Sequence, residues 1–364
     1  MVSTATAAQP TAVRDAAARA RARSRIARTA YLYILPAGLV MVLMTAFPLL
    51  YQLWMSLTNY SNLNLRTTNL LGQMAGTFMS GMKSTYNAPG FVGLDNYVTI
   101  VSNELGQLLS QFDFWRILAF NLIWTASNVV LHVAIGIAIA VLLNTPGLWL
   151  KPLYRALYVL PWAIPGLVAS MVWKNLFDDR FGIINIFLAG LGFSRDIRWW
   201  QQIDPPIPFL PILPLSFYAA LIANVWLGWP FMMTIATGAL QSIPRELYEA
   251  AAVDGASSWR RFWSITLPLL RPAMVPAAMI GMMWTFNQFN IIYFTTGGGP
   301  LHQTEILVTQ AYRLVNETTV NLAGIGNARP YGIAAAFAYI VFGVLAILTL
   351  ITNRASRATE AYYE

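Results

Sequence analysis

Long apolar runs alternate along this chain with polar, loop-like segments, and the length of the runs indicates the type of fold. A helix needs about 20 mostly apolar residues to cross the hydrocarbon core of a membrane. Six runs satisfy this requirement, at about 31–57, 117–143, 154–176, 215–240, 267–294 and 331–352. Prolines occur inside several runs, and membrane helices tolerate them when neighbouring helices satisfy the freed carbonyls. The pattern predicts an all-α integral membrane protein with about six bent, packed transmembrane helices.

The composition supports this prediction. Charged residues make up only 10% of the 364 residues, whereas hydrophobic residues make up 57%. A soluble domain carries about 25% charged residues, so we expect the lipid bilayer to be the main solvent of this chain. Because the sequence contains no cysteine, disulfides and thiolate metal sites are excluded within it.

The distribution of charge predicts how the spans are oriented. With both termini in the cytoplasm, the inner segments hold fourteen basic and six acidic residues, and the outer loops hold nine of each. The whole net charge of +8 then lies on the cytoplasmic side, as the positive-inside rule requires. Topology thus accounts for the basic character of the chain, and we expect no nucleic-acid partner.

The same pattern predicts a basic cytoplasmic tail at 1–30, a transmembrane domain at 31–354 and a second cytoplasmic tail at 355–364. The first apolar run is too long for a signal peptide, so we interpret it as a retained span. The first tail is compatible with a surface helix or with disorder. The transmembrane domain includes an outer-loop insert at about 62–90 and a cytoplasmic loop at 242–266.

Residues that could drive transport by themselves are scarce. The sequence contains no G-x-x-x-x-G-K-[ST] phosphate-binding loop, only two histidines, and no paired carboxylates inside the spans. His132 lies deep in a span, where a hydrogen-bonded interior histidine is favoured over a proton-path residue. We therefore expect no enzyme activity, no metal site and no cofactor in this chain, and we expect a partner to drive transport.

The cytoplasmic loop contains a compact helical segment rich in small residues. Leu247, Ala250 and Ala251 fall on one helix face, where alanine permits the close approach of another surface. Gly255 suits the left-handed position that follows the end of a helix. From the residues alone, this segment either docks on another protein or lies on the membrane as an interfacial hairpin.

The loop resembles the cytoplasmic signature of bacterial ABC-importer permeases, with E-A-A at 249–251, glycine at 255 and I-x-L-P at 265–268. Further stretches resemble the carbohydrate-importing branch, in particular the first permease subunit of the maltose and glycerol-phosphate importer type. They are F-V-G-L-D-N-Y at 91–97, L-P-W-A-I-P at 160–165, N-V-W-L-G-W-P-F-M-M at 224–233 and G-G-P at 298–300. The resemblance extends over about 31–354 and leaves the first tail and most of the insert unmatched.

The resemblance implies a permease subunit of an ATP-driven carbohydrate importer in the bacterial inner membrane. In this family the cytoplasmic loop docks on an ATP-hydrolysing subunit, and the matching residues here are Glu249, Ala250, Ala251, Gly255, Ile265, Leu267 and Pro268. The implied partners are a second permease in a heterodimer, a dimer of ATP-binding subunits that holds ATP and Mg, and an extracytoplasmic solute-binding protein. The run at 297–300 is either a plain turn or a contact for that binding protein. The alternatives are a self-contained sugar facilitator or secondary carrier, and a membrane enzyme acting on lipid-linked sugars.

Neutral polar, small and aromatic residues share faces of three predicted spans. Such groups suit sugar recognition, because amides and hydroxyls pair with sugar hydroxyls and an aromatic ring covers the apolar face. In the family that the chain resembles, matching positions line the transport cavity, and here they are Trp162, Gly166, Asn224, Leu227, Gly228, Phe231, Gly281, Thr285 and Gln288. The alternative is that these residues hold transmembrane helices together, as small and polar residues often do.

Overall fold

The computed structural model describes residues 9–64, 89–107, 109, 111–203, 213–322 and 326–360, which form thirteen helices and one hairpin. The helices are α1 (Gln9–Ser56), α2 (Asp95–Val101), α3 (Phe114–Leu143), α4 (Lys151–Ala163), α5 (Gly166–Leu176), α6 (Ile183–Gly190), α7 (Leu215–Gln241), α8 (Arg245–Val253), α9 (Ser258–Arg261), α10 (Leu267–Phe286), α11 (Phe289–Ile291), α12 (Leu307–Asn316) and α13 (Tyr331–Glu360). A 3₁₀ turn covers Glu104–Gln107, and π-helical turns cover Phe262–Thr266 and Ile292–Thr296.

The described helices confirm the all-α membrane fold. Five helical stretches are long and apolar enough to cross a membrane, at Ala27–Ser56, Phe114–Leu143, Leu215–Gln241, Ser258–Thr296 and Tyr331–Arg354. Helices α4 and α5 together supply a sixth if the bent pair is counted as one span. The sequence analysis did not predict the short antiparallel hairpin of β1 (Val320–Leu322) and β2 (Gly326–Ala328), in which Val320 lies opposite Ala328.

The third predicted span, at 154–176, consists of two helices with a sharp bend between them, and the sequence predicted bent spans without placing this break. Helices α4 and α5 are bent by 94° at the break between them. Ile164 is extended, with φ −78° and ψ 131°, and Pro165 precedes the first residue of α5. A residue before proline disfavours the helical conformation, and proline supplies no N–H to continue the helix. The break brings Gly166, at the start of α5, to the side of a cavity that Asn224 and Gly228 also line.

The fifth predicted span, at 267–294, is interrupted as well. Helix α10 ends at Phe286, and Asn287 leaves the helix before the short α11 begins. Gln288 occupies this interruption with φ −75° and ψ 74°. Its side chain is therefore directed by a non-helical backbone, which helical periodicity could not have predicted.

The chain divides into two compact units, residues 1–55 and 56–364. In the first unit, α1 begins at Gln9 and passes through the predicted tail into the first span without a boundary at residue 30. The described part of the tail backbone is therefore helical. Most of the predicted insert at 62–90 lies outside the described residues, which resume at residue 89.

Helices α3 and α7 form the centre of the second unit, where their backbones approach closely. A Cβ atom on Gly136 of α3 would lie 2.5 Å from the Met232 Cβ and 2.8 Å from the Met233 nitrogen of α7. Small residues at membrane-helix contacts permit this approach. Leu270 and Met274 of α10 complete the buried cluster around the contact. The α3–α7–α10 group therefore gives the neighbouring cavity fixed walls.

Replacing Gly136 by valine is expected to destabilise the folded permease by about 1–3 kcal/mol, because the α7 backbone must move to admit the new side chain. The measurement is thermal unfolding of the detergent-purified transporter. Gly238→Val is the matched control, because a Cβ at Gly238 of α7 meets no atom within 4 Å. Equal losses of stability in the two variants would contradict the role assigned to the Gly136 contact.

Candidate transport cavity and the Glu249 loop

One cavity of about 170 Å³ brings together all nine residues that the sequence analysis placed on a substrate pathway. Helix α7 supplies Asn224, Leu227, Gly228 and Phe231, and the α4–α5 break supplies Trp162 and Gly166. The end of α10 supplies Gly281 and Thr285, and the interruption after α10 supplies Gln288. Four further residues line the same space: His132, Ile164, Met232 and Trp284. The predicted residues therefore share one site, although their sugar contacts remain a prediction.

Three aromatic rings form a continuous wall of this cavity. The Trp162 and Phe231 ring centroids are 5.8 Å apart, and those of Phe231 and Trp284 are 5.1 Å apart. Both tryptophans are about half exposed, at 49% and 52%. Such rings can cover the apolar face of a sugar while leaving its hydroxyls to polar groups. The sequence analysis missed Trp284, although it lies three residues after Gly281 on the predicted face.

A hydrogen-bonded network connects the polar residues of the cavity. The Asn224 side-chain amide donates to the Asn128 side-chain oxygen at 2.8 Å, and the Gln288 amide donates to the Asn224 side-chain oxygen at 3.1 Å. Asn224 is only 2% exposed. Its contacts therefore support the alternative role of holding α3 and α7 together, whereas half-buried Gln288 keeps a side-chain oxygen beside the cavity.

His132 and Gly228 form a close packing pair. The His132 ring lies directly over Gly228, so that a Cβ there would collide with the ring. Its Nε2 atom is 3.1 Å from the Asn224 backbone oxygen, and the side chain is 4% exposed. This geometry supports the interpretation of His132 as a hydrogen-bonded interior histidine. Gly228 accordingly accommodates a neighbouring helix more than it exposes backbone to a ligand.

The other two glycines of the cavity also make room for side chains of this chain. A Cβ at Gly281 would lie 2.5 Å from the Met232 Cε, and one at Gly166 would lie 3.2 Å from the Asn290 Nδ2. Thr285 is 4% exposed, and its carbonyl accepts a hydrogen bond from the Trp124 indole at 3.2 Å. These three residues shape the cavity, and the aromatic wall and Gln288 offer it the more accessible surface.

The second feature is the Glu249 loop, residues 242–266, in which α8 contains no buried residue. Glu249 and Ala250 are exposed, and Ala251 is half-buried. Gly255 has φ +75°, and the backbone N–H groups that follow α8 bond to the Ala251 and Ala252 carbonyls at 2.8 Å and 3.1 Å. This is a glycine-terminated helix end in which the left-handed residue turns the chain. The predicted helix and its glycine terminus are therefore present.

The loop is tied to the following helices, which limits its freedom to move alone. The Tyr248 hydroxyl is 3.0 Å from the Thr266 hydroxyl, and Ser257 caps α9 through the Arg260 N–H. A π-helical turn, wider than an α-helical one, then leads into α10. The wider turn is favoured here because Pro268 lacks the N–H that a regular helical turn would use. Ile265 and Leu267, both half-buried, lie at this junction. A displacement of the loop would consequently be transmitted to α10, which lines the cavity.

The run at 297–300 is part of a built polar cluster. Buried Glu305 lies against Gly298, and its carboxylate is 2.8 Å from the Arg313 Nε. Arg313 also donates to the Gly297 carbonyl, and Thr309 donates to the Glu305 carboxylate. The run is therefore an ordered turn fixed from within this chain, and a contact with a binding protein stays a prediction.

The helical membrane fold, the aromatic-walled cavity and the exposed loop together define a membrane transport subunit. Residues 132–354 match the family described as "Binding-protein-dependent transport system inner membrane component", which covers more than half of the chain. The chain belongs to this family. The family and the relatives below are transport permeases rather than enzymes, in agreement with the sequence-based expectation.

Two curated relatives are similar over most of the chain. The chain is 34% identical over 335 residues to the diacetylchitobiose uptake system permease protein DasB of Streptomyces coelicolor. This alignment covers 91% of the chain and 88% of DasB. The chain is 31% identical over 290 residues to the galactooligosaccharides transport system permease protein GanP of Bacillus subtilis, which covers 78% of this chain. The chain spans only 62% of the length of GanP.

A solved structure supports the fold. The crystal structure of a bacterial ABC transporter involved in the import of the acidic polysaccharide alginate matches with a TM-score of 0.65 and 20% sequence identity. The match covers 93% of this chain and 99% of that chain. The permease fold predicted from the sequence is thereby confirmed.

Proposed function

We propose that this chain imports a disaccharide or short oligosaccharide, with the aromatic-walled cavity as its part of the substrate pathway. The chain is a permease subunit of a carbohydrate importer, consistent with relatives named for diacetylchitobiose and galactooligosaccharides. The observation that carries the proposal is the convergence of Trp162, Phe231, Trp284 and Gln288 on one cavity. Aromatic rings and a neutral amide match the mixed apolar and hydroxylated surface of a sugar.

The proposed partners follow from two features of this chain, the missing ATP-binding loop and the exposed helix α8. Its sequence has no phosphate-binding loop for ATP, and the exposed α8 offers a docking surface. We assign ATP and Mg to a dimer of ATP-binding subunits that contacts Glu249, Ala250, Ala251 and Gly255. A second permease would form the other half of the pathway, and a solute-binding protein would deliver the sugar from outside.

The proposed orientation places both termini and the Glu249 loop in the cytoplasm of a bacterial cell, with the spans in its inner membrane. The +8 net charge falls on the cytoplasmic side in this orientation. Closure of the ATP-binding subunits would then displace α8, and the connection through Thr266 would transmit the movement to α10. Residues Gly281, Thr285 and Gln288 would shift with α10 and change access to the cavity.

The cavity proposal is tested by Trp284→Ala and Gln288→Leu. We expect each to raise the sugar concentration needed for half-maximal uptake by about tenfold, since about 1.4 kcal/mol of lost binding corresponds to that factor. The measurement is sugar uptake and sugar-stimulated ATP hydrolysis by the reconstituted transporter. Trp149→Ala is a control for loss of an exposed tryptophan outside the cavity and outside the Glu249 loop. Unchanged sugar dependence in both cavity variants would reduce these residues to helix contacts.

A further inference from the structure

Helix α6 has an apolar face that is not covered by the described part of this chain. Ile183, Ile186 and Phe187 are half to two-thirds exposed on one side of the helix. The adjoining residues Phe181, Leu191 and Phe193 are exposed to a similar or greater extent. Large contiguous apolar patches are uncommon on surfaces in contact with water, and they mark contacts with protein or lipid.

The opposite side of α6 is fixed by one buried polar residue, Asn185. Asn185 is 2% exposed and donates to the backbone carbonyls of Asp179 and Ile197 at 3.3 Å and 2.9 Å. Its side-chain oxygen accepts from the Trp199 indole at 2.7 Å. Asp179, Arg180, Asp196, Arg198 and Gln201 line a cavity beside this part of the chain. The α6 segment, residues 178–201, thus combines an apolar side with a charged one.

The α6 segment is anchored to the end of a membrane span. The Trp200 indole donates to the Lys174 carbonyl of α5 at 3.3 Å, and the Trp199 and Phe177 rings are 4.8 Å apart. Six residues separate the end of α5 from the start of α6, so the chain can extend at most about 20–25 Å between them. Tryptophan prefers the level of the lipid head groups. The apolar face is therefore held close to the boundary of the bilayer.

We propose that α6 lies at the interface between lipid and water on the extracytoplasmic side of the inner membrane, with Ile183, Ile186 and Phe187 inserted among the lipid chains. Interfacial helices of this kind bury an apolar face at the boundary between head groups and acyl chains. Lipid fits better than a protein partner because the patch continues directly from a membrane span, and the segment contains Trp199 and Trp200, a residue type that prefers the level of the head groups. The segment carries three arginines and three aspartates, so its net charge is zero and the apolar face carries the assignment. The side of the membrane rests on the orientation proposed above.

The absence of cysteine in this chain makes single-site labelling direct. Nitroxide labels would be placed by Phe187→Cys and Ile186→Cys on the apolar face and by Ser194→Cys on the exposed polar part of the segment. The assembled transporter, with cysteine-free partner subunits, would be reconstituted in phosphatidylethanolamine–phosphatidylglycerol vesicles. We expect labels at 186 and 187 to collide more often with oxygen than with a water-soluble nickel chelate, and the label at 194 to show the reverse.

Two outcomes would overturn the proposal. Greater nickel than oxygen accessibility at both 186 and 187 would place the face in water. Strong immobilisation with shielding from both reagents would show that a protein partner covers it. Sidedness is measured separately with a membrane-impermeant thiol reagent on Ser194→Cys. Modification only from the cytoplasmic side would refute the proposed orientation without altering the accessibility result.

Discussion

Glu249→Lys is expected to lower ATP-driven sugar uptake by at least about tenfold while leaving the permease folded. Glu249 is exposed on α8, which has no buried residue, so the substitution disturbs little within this chain. It reverses a charge on the proposed docking surface. A loss of about 1.4 kcal/mol in the free energy of binding between this surface and the ATP-binding subunits corresponds to a tenfold effect on uptake. The measurements are uptake by proteoliposomes, stimulated ATP hydrolysis and co-purification of the ATP-binding subunits.

Glu246→Lys is the matched control, because it makes the same charge change one turn earlier on the same exposed helix. We expect it to retain most of the uptake. A second pair tests the backbone: Gly255→Pro removes the φ of +75° that ends α8, whereas Gly255→Asn tolerates it. The docking proposal fails if Glu249→Lys and Gly255→Pro both leave uptake and ATPase stimulation intact.

The largest loss of stability is expected from Arg313→Met. Glu305 is completely buried, and its carboxylate is 2.8 Å from the Arg313 Nε. Removing one partner of a buried ion pair costs about 3–5 kcal/mol, because it leaves an uncompensated charge. Thr309 and His302 remain beside the carboxylate. Arg116 also interacts with Glu305 electrostatically, but it does not replace the direct contact that Arg313 makes. The measurement is thermal unfolding of the purified transporter in detergent.

Two variants separate the buried ion pair from general damage to the region. Glu317→Gln removes a more exposed carboxylate, 3.8 Å from the same Arg313 Nε, and we expect a loss below about 1 kcal/mol. The double variant with Arg313→Met and Glu305→Gln removes both charges, and we expect it to recover part of the lost stability. A double variant no more stable than Arg313→Met alone would argue against the uncompensated charge as the cause.

The agreement between sequence and structure is greatest where the governing physics is local. A glycine at 255 ends a helix because it adopts a left-handed backbone at little steric cost, and the structure has it at φ +75°. Periodic spacing placed Asn224, Gly228 and Phe231 on one face of a helix, and all three line the cavity. The same spacing also puts Trp284 on the Gly281 face, and Trp284 lines the cavity.

The sequence left open where the bent spans break and which neighbours the polar groups meet. It predicted bent spans, and the structure places the breaks of the third and fifth at Ile164 and Asn287. Asn224 lines the cavity as predicted, and its side-chain amide also bonds to Asn128 and Gln288, partners that helical spacing did not specify. Helical spacing specifies which way a side chain points and leaves open which neighbour lies there.

The sequence by itself determined the membrane as solvent, the approximate number of spans, the exposed small-residue loop and the resemblance to a permease family. These properties depend on the length of the apolar runs, the charge balance of the loops and short motifs, all of which can be read along the sequence without any tertiary contact. Only the tertiary structure decided that the α4–α5 break, α7 and the end of α10 enclose a single cavity, and that His132 rests on Gly228. Those outcomes depend on packing between residues about a hundred positions apart. In a closely packed interior, each buried polar group needs a hydrogen-bond partner and each gap is filled by a side chain, and the tertiary structure decides which residue does so.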